Sequence, residues 1–529
     1  MKKNLTKQER FKLIELNEAK PKGRSEPIKE TFEKVHEKPV SKMTRRELIG
    51  AGLVPTFGTI WAPSVLSLLA PYNAQAADLI CTAAGGSGDW CAFMAYNMAG
   101  GAGLSANALP LTRDGGFIPV KNGPDGTPQG GYSTLGMGHN PEVELEFKPD
   151  SNNQQSVFYR DSGILAGIRT ELARIAALNI LSAEERTRVN AILQNTHFIL
   201  MCAHSGDDSG MNRADMTGLV MKGGLTGNLL QNLGTNGTPI GINALAAVIQ
   251  PPAALNVSGQ GSIDGALGFS GVLAQQLSGP QQANMMRAIS GLSENQAVKY
   301  INRTGGSILQ QLMGCANRDN TNLISNTGNL NTNPLRNPAV AAAWTITANT
   351  NPNDGNFVRA TVTYNVLLKN ASTGGCIDPG NDYHNGSRTS GDTNDTNNGI
   401  ALARMLATAA ILDKKFFMHV TTDGGVRSPI SGIAGGPWTT DNGQAGVQYC
   451  MAYDPKGLSR ASGTQISYFN DAQAAAEDFG PLGSTLERHT AAAYVQYLSF
   501  NNKLSVIEQV LPRMFTSVEL DAILKLYAS

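Results

Sequence analysis

The six cysteines include no Cys-x-x-Cys pair, and no His or Cys residues fall at zinc-ligand spacing, which excludes zinc fingers, zinc ribbons and thioredoxin-type redox motifs. His-Glu-x-x-His, the phosphate-binding Gly-rich loop ending in Gly-Lys-Ser/Thr, and Gly-x-Ser-x-Gly are missing too. Their absence removes the commoner metalloprotease, nucleotide-hydrolase and serine-hydrolase classes. Net charge is lacking as well: 42 basic groups balance 42 acidic ones. The balance hides an asymmetry, because residues 1–50 carry 14 Lys/Arg against 8 Asp/Glu, residues 51–76 carry no charge, and the remainder holds 28 basic against 34 acidic groups. A mildly acidic body without a basic stripe excludes nucleic acid as a partner.

Two features are plentiful. With 41% hydrophobic residues, 529 residues are enough to bury a large core, as two to four domains or as one large α/β unit with insertions. Glycine, at 58 residues, exceeds the usual share of roughly 7%. Much of it lies in Asn/Asp/Thr-rich runs such as 316–337 and 370–399, the composition of long ordered surface loops.

Thr44, Arg45, Arg46, Glu47, Leu48 and Ile49 read as a twin-arginine export signal, followed by an uncharged stretch and the small-residue cleavage pattern Ala74-Gln75-Ala76. The expected mature chain is residues 77–529, outside the cytoplasm in the periplasm or beyond, and residues 1–76 form a cytoplasmic n-region plus signal peptide. A transmembrane helix is the competing reading. Pro55, Pro63 and Pro71, with Gly50, Gly52 and Gly58 among them, make a poor spanning helix. Met1 and Met43 are both compatible starts. The first expected partner is the twin-arginine export machinery, which carries folded proteins. All six cysteines fall in the mature part, where an even count permits disulfides. Cys202 and Cys450 end apolar runs and read as buried thiols. Cys81 and Cys91 flank a Gly-rich turn and are the candidate bridge.

Phe93 to Asn97 reads as a strand entering Gly100-Gly101-Ala102-Gly103-Leu104-Ser105-Ala106, formally a dinucleotide fingerprint. Pro110 would stop the helix that such a fingerprint needs, so a tight turn is expected instead. Ile164 to Ala176 has helical spacing, Ser182 and Glu185 form a capping box for a second helix, and His197 to Cys202 reads as a strand buried on both faces. The loop after that strand carries Asp207, Asp208, Ser209 and Arg213. Its serine is a nucleophile if a metal or base activates it, and otherwise the loop is an Asx-rich turn. Residues 217–355 read as a largely helical insertion or cap, with helical spacing at 283–301 and 308–313.

Val358 to Lys369 alternates apolar and polar residues, the period of a strand with one wet face. Asp382 and His384 then form an Asp-x-His loop, Leu402 to Leu412 carries a helical apolar stripe, and Phe416 to Thr422 is an apolar strand that delivers Asp423. Val447 to Tyr453 is another such strand. Helices are expected at Ala491 to Leu498 and Leu504 to Leu511, and after the Thr516-x-x-Glu519 capping box. Because helices separate fully apolar strands, the expected fold is α/β, with a mostly parallel central sheet and helices on both faces. Ligands of such sheets gather at the carboxyl ends of the strands. A site is therefore expected between Asp382/His384, Asp423 and Asp207-Asp208-Ser209, with Arg213 or Arg388 offsetting the carboxylates. The alternative is that these short polar residues only hydrogen-bond their own loops.

The twin-arginine signal, the Gly-Gly turn, the Asp-Asp-Ser loop, the Asp-x-His loop and the strand ending in Thr422-Asp423-Gly424 together resemble exported bacterial proteins of the DUF1501 type. Those are similar to distant members of the alkaline phosphatase and sulfatase superfamily. The resemblance implies an alkaline-phosphatase-like fold, metal ions bound by Asp and His, and a Ser or Thr nucleophile acting on phosphate or sulfate esters. In this sequence it implies Asp382, His384 and Asp423 as metal ligands and Ser209 as nucleophile. Two positions depart from the pattern: Gly100-Gly101-Ala102-Gly103 lacks the Asp expected in Gly-Gly-x-Asp-Gly, and Gly424 stands where a His should follow Asp423. The set is thereby reduced to one divalent cation at most, zinc, manganese or calcium. Two functions remain open, a residual ester hydrolase and a non-catalytic binding or structural component of the envelope or of a secretion apparatus.

Overall fold

A computed structural model of the protein describes residues 90–205, 214–225, 227, 230–235, 254–266, 331–378, 380–383, 388–429, 432–439, 443–483 and 485–527. The export signal, Cys81, residues 207–209, Arg213, His384 and the expected helices at 283–313 lie outside the described residues.

Strand β1 (Ala92–Met98) is buried along its whole length. Successive side chains of a strand point to opposite faces, so Met94, Tyr96 and Met98 enter one core while Phe93 and Ala95 enter another. The same division holds in β2 (Thr196–Cys202), β6 (Phe416–Thr422) and β7 (Val447–Tyr453), each buried at all seven residues. With β3 (Leu230–Gly234), β4 (Leu255–Asn256), β5 (Ala371–Asp378) and β8 (Gln465–Ile466) they form one eight-stranded sheet in the order β8-β2-β7-β6-β1-β5-β3-β4. Strand β1 lies parallel to β6 and β5, β5 to β3, β3 to β4, and β2 to β8. Only β7 is reversed, antiparallel to both β6 and β2. An apolar run looks the same in either direction, which is why the sequence did not mark this reversal. The connection supplies the reason: a parallel return needs a crossover, usually helical, whereas the described residues between β6 and β7 hold no helix beyond a 3₁₀ turn at Gly443–Ala445.

One face is covered by α1 (Gly163–Ala176), α2 (Ala183–Asn190), α3 (Gly355–Leu367) and α4 (Arg388–Ile411), whose apolar residues join the first core. The other face carries α5 (Leu486–Phe500) and the short helix Thr217–Lys222. The expected caps are present. Ser182 and Glu185 form a reciprocal capping box on α2, and Thr516 and Glu519 form one on Ser517–Ile523. Among the described residues no helix is long and apolar enough to cross a membrane.

Three expectations are corrected. Val358 to Lys369 is not a strand; most of it lies in helix α3, capped by Asp354, whose side chain accepts from the amides of Asn356 and Phe357. Its Thr361, Thr363 and Asn365 are buried rather than wet: Thr361 Oγ1 donates to the Phe357 carbonyl, Thr363 Oγ1 to that of Arg359, and Asn365 Nδ2 to that of Thr361. Back-bonding to the previous turn satisfies these three groups inside a helix, so at their positions the alternation that mimics a strand marks no wet face. Residues 217–355 are not wholly a cap, since β3 and β4 come from them and extend the main sheet. Leu504 to Leu511 is not one helix but a 3₁₀ turn followed by a single α-turn.

Helices α1 and α4 pack backbone to backbone. A Cβ on Gly167 would collide with the Thr396 carbonyl, and one on Gly399 with the Ile164 carbonyl. Glu171 of α1 pins the same interface. Buried there, it accepts from Arg174 at 2.7 Å and from Arg404 of α4 at 2.6 Å.

Candidate functional site

Strands β5, β1 and β6 are parallel neighbours, and Met98 pairs with both Asp378 and Thr422, so all three end at one level on one edge. The loops leaving that edge are tied together through backbone amides. Ala99 N donates to the Asp378 carbonyl at 3.1 Å, and Ala102 N to Thr422 Oγ1 at 2.7 Å. Between these two ties lies Gly100, with φ +107°, a conformation that favours glycine. Gly100 N donates to Asp423 Oδ2 at 3.0 Å, and a Cβ at this position would lie 2.8 Å from the Cβ of Asp382. Asp382 and Asp423, 41 residues apart in sequence, thus both come against one glycine. Asp382 is exposed and Asp423 half-buried.

A fourth strand reaches the same loop. Because β7 is reversed, β2 runs in the direction of β6, and just beyond its end Ser205 Oγ donates to the Asp423 carbonyl at 2.5 Å. Ser205 N is held in turn by the Gly443 carbonyl at 2.8 Å. The sequence singled out Ser209 in this loop and passed over Ser205; the signal available was its position only three residues past the buried strand. Asp207, Asp208, Ser209, Arg213 and His384 lie outside the described residues. Arg388, expected to offset the carboxylates, has other described partners. It pairs with Asp392 at 2.9 Å, donates to the Gly136 carbonyl at 3.0 Å and lies 3.7 Å over the Trp438 ring.

Behind the edge a buried polar network fixes the loop that carries Asp382. Tyr96 OH donates to Asn398 Oδ1 at 2.7 Å, Asn398 Nδ2 to Asn381 Oδ1 at 2.6 Å, and Asn381 Nδ2 to the Asp378 carbonyl at 2.9 Å. Alongside it Asp395, fully buried on α4, accepts from Tyr383 OH at 2.6 Å and Asn107 Nδ2 at 2.7 Å. Burial raises the Asp395 pKa to about 6, against the pull of those two hydrogen bonds. None of these residues was singled out from the sequence. Asp395 and Asn398 sit in a Gly/Asn/Thr-rich run that reads as loop until helix α4 is seen to begin at Arg388.

Among the described residues no three His, Cys, Asp or Glu side chains group closely enough to hold a metal ion. Asp382 and Asp423 offer two carboxylates, hard donors suited to a hard divalent cation, but such an ion takes six or more oxygen ligands. Two carboxylates are an incomplete cage. The four described thiols are no substitute. Cys202 and Cys450 are buried and free, as expected, and Cys91, expected in a bridge with Cys81, is also a buried free thiol. Burial pushes Cys91 and Cys376 up to about 12, so neither is a thiolate near neutral pH. The Gly-rich segment after β1 turns, as expected, into a single three-residue 3₁₀ turn, Leu104–Ala106, without the helix that would hold a pyrophosphate.

Compared with protein-family models, with curated proteins and with solved structures, the chain matches none.

Proposed function

We propose that this chain is an exported envelope protein with an alkaline-phosphatase-like scaffold and a reduced metal site at the carboxyl edge around Gly100. The observation that carries this reading is the approach of both Asp382 and Asp423 to that glycine. In this reading Asp382, Asp423 and His384 hold one divalent cation, and a serine of the loop after β2 stands beside it. The cation would supply Lewis-acid polarisation of a phosphate or sulfate ester. The Asn381–Asn398–Tyr96 relay holds the Asp382 loop, and the Gly100 amide orients the Asp423 carboxylate, so little reorganisation is needed when a ligand arrives.

One observation favours a second reading, a non-catalytic scaffold in the envelope or in a secretion apparatus. Asp423 Oδ2 is already engaged by the Gly100 amide, as a residue that merely shapes its loop would be.

Metal analysis of exported protein purified without chelator separates the two. We expect about one zinc, manganese or calcium per chain, lost in Asp382→Asn and Asp423→Asn. Hydrolysis of an aryl phosphate or aryl sulfate should fall roughly tenfold or more in both variants. A metal-free wild type that hydrolyses neither ester overturns the metal-site reading and leaves the scaffold.

A further inference from the structure

The two edges of the sheet differ in charge. Asp378, Asp382 and Asp423 lie at the carboxyl edge. At the amino edge the sign is reversed. Lys414 and Lys415 immediately precede β6, and because β7 is reversed the connection from β7 to β8, with Lys456 and Arg460, also lies there. The end of α5 is tied to the same edge by Asn501 Oδ1, which accepts from Cys91 N at 2.6 Å, and Lys503 just beyond it has its ammonium 5.9 Å from the centre of the Trp90 ring. The acidic groups of these loops, Asp413 and Asp454, are both engaged: Arg188 is 3.8 Å from Asp413, and Lys415 is 2.8 Å from the fully buried Asp454. Lys414, Lys456, Arg460 and Lys503 form no ion pair among the described residues. A second, independent mark is apolar. Leu458, between Lys456 and Arg460, is 55% exposed, and Tyr527, which pairs with Arg460 in a short two-stranded ladder, is 39% exposed. A single exposed leucine is ordinary. A leucine bracketed by cations, with an amphipathic ring beside them, is the layout of side chains that settle at a lipid–water interface.

We propose that the amino edge docks on an anionic lipid surface, with Lys414, Lys456, Arg460 and Lys503 against the headgroups and Leu458 and Tyr527 at the boundary with the acyl chains. A soluble polyanion would satisfy the cations and leave Leu458 and Tyr527 in water, whereas a lipid surface takes both. The cations come from loops far apart in sequence, so they form no basic run that the sequence displays. Docked in this way, the protein turns the carboxyl edge away from the lipid. The proposal does not depend on the reading given to the site around Gly100.

Fluorescence of Leu458→Trp in the full chain, read as the difference from wild type, tests it. Ile433→Trp is the control, since Ile433 is 53% exposed but lies in the connection from β6 to β7, at the carboxyl edge. With vesicles of phosphatidylcholine containing about 30% phosphatidylglycerol, Leu458→Trp emission should shift to the blue and be quenched by brominated lipid, and Ile433→Trp should do neither. Pure phosphatidylcholine should give no shift, and about 0.5 M salt should largely reverse the one seen with anionic vesicles. Adding Lys456→Gln and Arg460→Gln to Leu458→Trp should raise the half-saturating lipid concentration about tenfold or more. Absence of a shift, an equal response from Ile433→Trp, an equal response to neutral vesicles or to soluble polyglutamate, or unchanged half-saturation in the folded triple variant overturns the proposal.

Discussion

Asp395 is the residue whose environment has the most direct measurable consequence. Its carboxyl group is sealed in the first core, and burial lifts its pKa from an unfolded value near 4 to about 6. The native state therefore binds this proton more tightly than the unfolded state. The stability so contributed is fully present below pH 4 and is lost as pH rises through 6. A shift of that size corresponds to roughly 3 kcal/mol. Asp395→Asn removes the titrating group, so the stability difference between wild type and variant should move by about that amount between pH 4 and 7, in the direction that disfavours the wild type at higher pH. Urea unfolding at stepped pH measures it, and parallel pH profiles for the two proteins would rule it out. Gly100 acts at the same scale. Gly100→Ala combines an unfavourable φ with a Cβ driven against Asp382, and should destabilise by more than about 1 kcal/mol.

At the level of elements, the contact of α1 with α4 turns on glycine at positions 167 and 399. Helix propensity alone would make Gly399→Ala stabilising by about 1 kcal/mol. Packing predicts the opposite sign, because the added Cβ meets the Ile164 carbonyl and the helices must separate, at a cost of about 1–3 kcal/mol. Thermal or urea denaturation decides between the two by the sign of the change. The same interface holds Glu171 against Arg174 and Arg404, and Glu171→Ala would leave the 12%-exposed Arg404 side chain without this partner. The expected loss is about 3 kcal/mol. A loss under about 0.5 kcal/mol would mean that water reaches the guanidinium.

For the whole molecule, the charge distribution along the chain leads to a prediction about export. Residues 1–50 are basic, residues 51–76 carry no charge and the body is mildly acidic, the charge pattern on which the proposed export signal rests. Arg45→Lys with Arg46→Lys should abolish delivery across the cytoplasmic membrane while leaving the folded body intact; fractionation with unchanged periplasmic delivery would refute the twin-arginine reading.

The sequence by itself determined the elements whose burial is uniform or whose ends are chemically marked: β1, β2, β6 and β7 from mainly apolar runs, α1 from its spacing, and two helix starts from capping boxes. It also determined that Asp423 ends a strand, because the β-prone run Phe416 to Thr422 stops at the Asp423-Gly424-Gly425 turn. Only the tertiary structure decided the direction of β7, since hydropathy is unchanged when a strand is reversed. It alone decided that Val358 to Leu367 is helical, since buried Thr and Asn bonded to the preceding turn imitate a wet strand face. The neighbourhood of the site was decided in the same way. Gly100, Ser205, Asp382 and Asp423 meet because four strands far apart in sequence run in the same direction, and adjacency across a sheet is a property of strand order that local composition does not carry.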